Sequence, residues 1–111
     1  MSQGVPESDW KLFRELQGIA LERFCRRVLD ELEPLTRDSS RTYHERYLDV
    51  FALLKERDRE LARGFDDPRR SRMIQQLAAL HALGLLEPAE LARFSPRTRE
   101  TVEGLAKPLW R

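Results

Sequence analysis

Between Asp9 and Pro34 the chain places an apolar residue at every third or fourth position: Phe13, Leu16, Ala20, Phe24 and Val28. That rhythm follows the 3.6-residue turn of an α-helix and is incompatible with the two-residue alternation of a strand. Leu12 and Ile19 lie on one flank of the stripe, and Leu21, Cys25 and Leu32 on the other. The apolar surface is therefore wider than one neighbouring helix covers. Two arrangements satisfy it: the helix is central in a bundle, or one flank meets a second subunit.

The rest of the chain repeats the helical pattern between clear stop and start signals. The first helix is expected over about 9–32, with Ser8 or Asp9 as its cap and Pro34 as its end. Thr42 followed by Glu45 forms a capping box, with Asp38, Ser39 or Ser40 able to cap an earlier start, so a second helix is expected over about 41–63. Tyr43, Tyr47, Val50, Phe51, Leu54, Leu61 and Phe65 share one of its faces, and Gly64 is suited to the left-handed stop. Asp67-Pro68 reads as the cap and first residue of a third helix over about 68–83, whose inner face carries Met73, Ile74, Leu77, Leu80 and His81. Gly84 and Leu85 then resemble a Schellman ending. Pro88 starts a short helix to about 94. Ser95-Pro96 starts another to about 106, with Val102 and Leu105 as its apolar contacts. Residues 1–7 read as a loose tail.

The expected fold is thus all-α: one helical domain over 1–111, a bundle of three long helices and two short ones. The residue types agree. The aliphatic residues are mostly Leu, with few Val and Ile, and Leu, Ala, Glu and Arg favour helix. The chain has 111 residues, enough for one modest core.

Charge narrows the functional classes. Twenty basic residues nearly cancel nineteen acidic ones, and the signs are interspersed as on solvated helix surfaces. A nucleic-acid binder usually carries a basic excess on one face. Cys25 is the sole cysteine, so no intramolecular disulfide and no thiolate zinc site is expected, and mid-helix it reads as a small hydrophobe. The start of the chain lacks a signal-peptide pattern, and no stretch approaches a membrane span, so the cytoplasm is the expected location.

No catalytic, metal or cofactor constellation is legible. His44-Glu45 begins like a zinc-protease helix, but Leu48 stands where the second histidine belongs. A di-iron site needs Glu with His three residues on, and Arg41 and Ala78 occupy the positions three before His44 and His81. Three polar groups remain as candidates. Arg69, Arg70 and Arg72 cluster in the first turn of the third helix, where an anion or an acidic partner could dock unless nearby carboxylates neutralise them. Asp58 shares the inner face of the second helix with Leu54 and Leu61 and needs a cation. Arg27 (with Arg70 as the other candidate) would supply a buried pair, or the carboxylate would line a polar ligand pocket. The segment Glu90–Val102 has a helix-turn-helix look, with Arg97, Arg99 and Thr101 placed to contact nucleic acid, although Glu100 and Glu103 would meet phosphate there.

Several strings resemble a group of short bacterial helical proteins without an assigned activity: Tyr43-His44-Glu45-Arg46-Tyr47, Glu56-Arg57-Asp58, Phe65-Asp66-Asp67, Arg69-Arg70-Ser71 and Ala92-Arg93-Phe94-Ser95. The resemblance implies a bacterial cytosolic protein and no catalytic residue.

The leading expectation is a non-catalytic interaction or structural protein that associates with itself as a homodimer. It rests on the girth of the first helix and on spare apolar residues such as Leu48, Leu53, Leu109 and Trp110. The alternatives are nucleic-acid binding through the C-terminal segment together with Arg69, and small-ligand binding near Asp58.

Overall fold

A computed structural model of the chain describes residues 4–105. The fold is all-α, and no strand occurs among the described residues. Its elements are α1 (Glu7–Arg37), α2 (Tyr43–Phe65), a 3-10 turn (Arg70–Arg72), α3 (Met73–Ala82), α4 (Pro88–Leu91) and α5 (Pro96–Leu105). The expected end of the fifth helix near 106, and Leu109 and Trp110, lie outside the described residues.

The predicted stripe on α1 is the spine of the core. Phe13, Leu16, Ala20, Phe24 and Val28 are all buried, joined by Leu12. Met73, Leu77 and Leu80 of α3 face them, and Leu85, Leu91, Phe94 and Val102 close the far side. This head of the molecule uses the first two-thirds of α1. Beyond Val28, α1 buries no further residue, and Gly64 is the only buried residue of α2. The last turns of α1 and the first turns of α2 therefore project together as a two-helix arm. The molecule measures 59 × 30 × 23 Å.

Helix ends show which local signals prevailed. The capping box at α2 forms as expected: the Glu45 amide donates to Thr42 Oγ1 at 3.0 Å, and the Thr42 amide donates to Glu45 Oε1 at 2.9 Å. The ending of α3 also follows its sequence. Gly84 takes φ 73°, its amide donates to the His81 carbonyl, and the Leu85 amide donates to the Leu80 carbonyl.

Five expectations at helix ends are corrected. Pro34 does not stop α1, which runs on to Arg37. A proline removes one backbone donor, and here the helix ends within a turn of it on an exposed surface, so the loss stays small. Ser8 and Asp9 do not cap α1. The cap position is Pro6, without a side-chain bond, and Asp9 is spent elsewhere. Gly64 is not the left-handed stop of α2. It lies inside the helix against Leu80, and Asp67 takes the left-handed conformation instead, at φ 48°. Asp67-Pro68 does not open the third helix. The chain is extended at Arg69, turns through Arg70–Arg72, and becomes α-helical at Met73. Asp67 spends its carboxylate on arginines rather than on free amides. The short helix from Pro88 ends at Leu91, not at 94.

Gly64 is a packing residue. An added Cβ would lie 2.7 Å from Leu80 Cδ2, in a core where Leu80 is fully buried. Overpacking of this kind costs about 1–3 kcal/mol, and the helix preference of Ala over Gly returns up to about 1 kcal/mol. Gly64→Ala is expected to destabilise the chain by about 1 kcal/mol in chemical denaturation; an increase in stability would contradict this packing.

Candidate docking surface on the helical arm

The arm mixes polar and apolar contacts on its inner side. Leu61 and Phe65 of α2 pack against the core, and beside them Arg57 pairs with Glu31 of α1 at 3.0 Å and with Glu60 at 3.2 Å. Nearer the tip, Arg41 holds Asp49 at 2.9 Å, and Arg46 donates to the Arg41 carbonyl. Val50 and Leu53 on this side are half-buried. The aromatic residues point the other way. Tyr43 is 85% exposed, Tyr47 67%, Phe51 59% and Leu54 41%. Successive residues of a helix turn by about 100°, so these four form one stripe along the outer side of α2.

A matching flank belongs to α1. Leu29 is 64% exposed, Leu21 36%, and Cys25 between them is exposed. Arg27, on the opposite flank, donates to the Leu83 carbonyl at the end of α3. Leu21, Cys25 and Leu29 therefore turn away from α3, and the helical phase of the antiparallel α2 places Tyr47 and Phe51 on that same side. One continuous aliphatic and aromatic face results. It comprises roughly 600–700 Å² of side chain, at about 200 Å² per fully exposed aromatic. Monomers rarely expose more than about 300–600 Å² in one apolar patch.

The sequence-derived candidates fall elsewhere. Asp58 is exposed, and its carboxylate has no ion-pair or hydrogen-bond partner among the described residues. The expected pair with Arg27 is absent, since Arg27 serves the carbonyls of Leu83 and Gly84. The inward residue of this turn is Arg57. Asp58 does follow Leu54 on the aromatic stripe, but that stripe faces outward rather than into the bundle. The polar cleft at the α1–α2–α3 junction is lined by Arg27, Glu31, Arg57 and Glu60, not by Asp58. Cys25 is likewise on the uncovered flank rather than in the core.

Each arginine of the basic cluster has a carboxylate partner within the chain. Arg69 and Arg72 both reach the Asp67 carboxylate, at 2.9 and 3.2 Å. Arg70 pairs with Glu7 of α1 and lies over the Trp10 ring. In α5, Thr101 donates to the Arg97 carbonyl, Arg97 is exposed, and Arg99 is half-buried with its Nε enclosed and unbonded. The three do not project together as the basic face of a recognition helix would. Among the described residues, no three His, Cys, Asp or Glu side chains group as metal ligands, and no helix is long and apolar enough to cross a membrane.

Two polar clusters that the sequence did not single out hold the head together. The Asp9 carboxylate accepts from the Ser95 amide at 3.1 Å, the Ser95 hydroxyl at 2.7 Å and the Thr98 hydroxyl at 2.6 Å. It thereby caps α5 from α1, 86 residues away in sequence. Arg23 donates to both oxygens of Glu90, at 2.7 and 2.8 Å, and to the Leu85 carbonyl at 2.9 Å. That hydrogen-bonded guanidinium holds the Glu90 carboxyl below its ordinary value, against an opposing push from burial. A carboxylate with a lowered pKa stabilises the fold above its unfolded-state pKa, and the contribution is lost as pH falls through the lower, folded-state value. Acidification below about pH 4.5, the ordinary value of a glutamate, is therefore expected to lower the melting temperature. Glu90→Gln should flatten that decline, and an unchanged acid profile would contradict the assignment.

Comparison of the chain with protein-family models, with curated proteins and with solved structures finds no match.

Proposed function

We propose that this chain is a non-catalytic protein–protein interaction protein and that the α1–α2 arm is its docking element. One observation carries the reading: the aromatic stripe of the arm is uncovered. Arg57 shares the side of α2 that packs on α1 with Leu61 and Phe65, while Tyr43, Tyr47 and Phe51 face outward. An amphipathic helix gains stability by turning its apolar side inward. An arm that keeps its aromatic stripe outward leaves its largest source of binding energy for a partner. Aromatic residues are also the side chains most enriched at the energetic centres of interfaces. The cytoplasm suits such a chain, because the exposed Cys25 thiol stays reduced there.

Photo-crosslinking tests the proposal. Benzoylphenylalanine placed at position 47 or 51 of the full chain, in living cells, is expected to form a covalent adduct with one protein identifiable by mass spectrometry. The same probe at Glu100, exposed on α5, is expected to form none. Absence of any adduct at 47 and 51 contradicts the proposal.

A further inference from the structure

Resting on that reading of the outer face, we infer that its occupant is a second copy of this chain, packed antiparallel so that the two arms form a four-helix bundle. Area is the first argument. One copy offers roughly 600–700 Å² of apolar side chain, so a symmetric pair would remove on the order of 1,200–1,400 Å² from water. That lies in the range of stable interfaces, about 1,200–2,000 Å² in total. Leaving the face wet in a monomer forfeits most of this gain.

Self-complementarity is the second argument. A two-fold interface brings the same patch on both copies together, so a stripe must fit its own reverse. The α2 stripe does. Its tip carries the bulkiest and most exposed side chain, Tyr43, and its head end carries the smaller Leu54. Reversed on itself, the stripe sets the large Tyr43 against the smaller Leu54, as interdigitating layers require, and brings the aromatic rings of Tyr47 and Phe51 together. The parallel alternative stacks Tyr43 on Tyr43 and leaves a gap at Leu54.

Charge is the third. Asp58 lies one turn beyond Leu54 on the same side of α2 and has no partner within its own chain among the described residues. In the antiparallel register it reaches the other copy's arm tip, which carries Arg37 and Arg41. Both pair within their own copy, Arg37 with Glu33 at 3.6 Å and Arg41 with Asp49 at 2.9 Å, and keep 77% and 41% of the side chain accessible. Asp49 takes only Nε and Nη2 of Arg41, so the carboxylate without a partner in one copy meets a guanidinium that still has a donor to give in the other. The heads, built from α3 to α5, then lie at opposite ends of an elongated dimer.

The purified full chain with benzoylphenylalanine at position 47 distinguishes the possibilities. Irradiation is expected to give one adduct of twice the 13.1 kDa chain mass, with position 47 joined to the 50–54 segment of the other copy. Leu54→Glu, at a position outside the core, is expected to lower the adduct yield at least tenfold while keeping the helix content of the parent chain by circular dichroism. A purified chain that gives no adduct, while the cellular experiment links position 47 to a different protein, overturns the second copy but leaves the docking face standing. No adduct in either experiment overturns both. A spin label at Ser39 in a Cys25→Ser background fixes the direction. Antiparallel arms put the two labels about 30 Å apart, from 1.5 Å of rise per residue. A separation within about 15 Å, the spacing of helices packed side by side with their tips together, overturns the antiparallel arrangement.

Discussion

Phe13→Ala is expected to cost about 3–5 kcal/mol of unfolding free energy, while Phe51→Ala costs less than about 0.5 kcal/mol in the monomer. The two phenylalanines have the same chemistry and opposite environments. Phe13 is fully buried, stacked against Trp10 at 5.8 Å and enclosed by the core of the head. Truncation there removes the transfer free energy of a whole ring and leaves a cavity that neighbouring helices cannot fill. For a domain of this size, each kcal/mol corresponds to about 4–8 °C in melting temperature, so the Phe13 variant is expected to be unfolded or nearly so under ordinary growth conditions. Phe51, at 59% exposed, touches little of its own chain. Its truncation should leave the melt of a monomer unmoved and weaken association instead. Thermal melts of both variants, read with their masses in solution, check the contrast. A large loss of stability for Phe51→Ala in a chain of monomer mass would show that the outer face belongs to the fold and not to a partner.

Asp9→Ala is expected to cost about 2–4 kcal/mol. The carboxylate accepts three hydrogen bonds from Ser95 and Thr98, and Asp9 and Thr98 are both nearly inaccessible. Bonds to a charged acceptor contribute about 1.5–3 kcal/mol, and truncation also strands buried donors without water. An N-terminal cap alone contributes about 0.5–2 kcal/mol, and this cap fastens the first helix to the last. Asp9→Asn keeps the shape but turns one acceptor into a donor, so it should recover only part of the loss. Urea titration measures both. Amide hydrogen exchange in α5 should accelerate more than in α1, because the helix loses its tether while its neighbour keeps the core. Equal acceleration throughout would mean that Asp9 holds no element in particular.

The head of the fold was legible because its signals were redundant. In α1 the period of Phe13, Leu16, Ala20, Phe24 and Val28 admits one buried face, and the structure buries it. The Thr42–Glu45 box and the Gly84–Leu85 ending are local geometries whose partners lie within six residues, so sequence suffices to place them. Asp67-Pro68 carried the same local promise and failed. Asp67 is drawn to Arg69 and Arg72, and the third helix starts only where Met73 can enter the core. Asp9 was visible as a cap, but its recipient lies at the other end of the chain, which no local rule can supply.

The candidate site was half legible. The stripe of Tyr43, Tyr47, Phe51 and Leu54 was evident as a face, and the uncovered flank of α1 was one of the two arrangements its girth allowed. Which way the α2 stripe points was not evident. Periodicity identifies a face without saying what it meets, and an apolar face defaults to the interior. In the arm that default fails for the aromatic stripe, because Arg57 and Glu31, with Leu61 and Phe65, occupy the inner side. The same default drew Asp58 inward with the stripe it shares and hid Arg57, the residue that ties the arm to α1.

The mass of the purified full chain, measured by light scattering at micromolar concentration alongside a Tyr47→Glu variant, tests the central claim most directly. An arm closed by a second copy predicts twice 13.1 kDa for the parent chain and a single 13.1 kDa species for the variant, with matching melting behaviour of the head in the two. A parent chain that remains at 13.1 kDa across the micromolar range contradicts it.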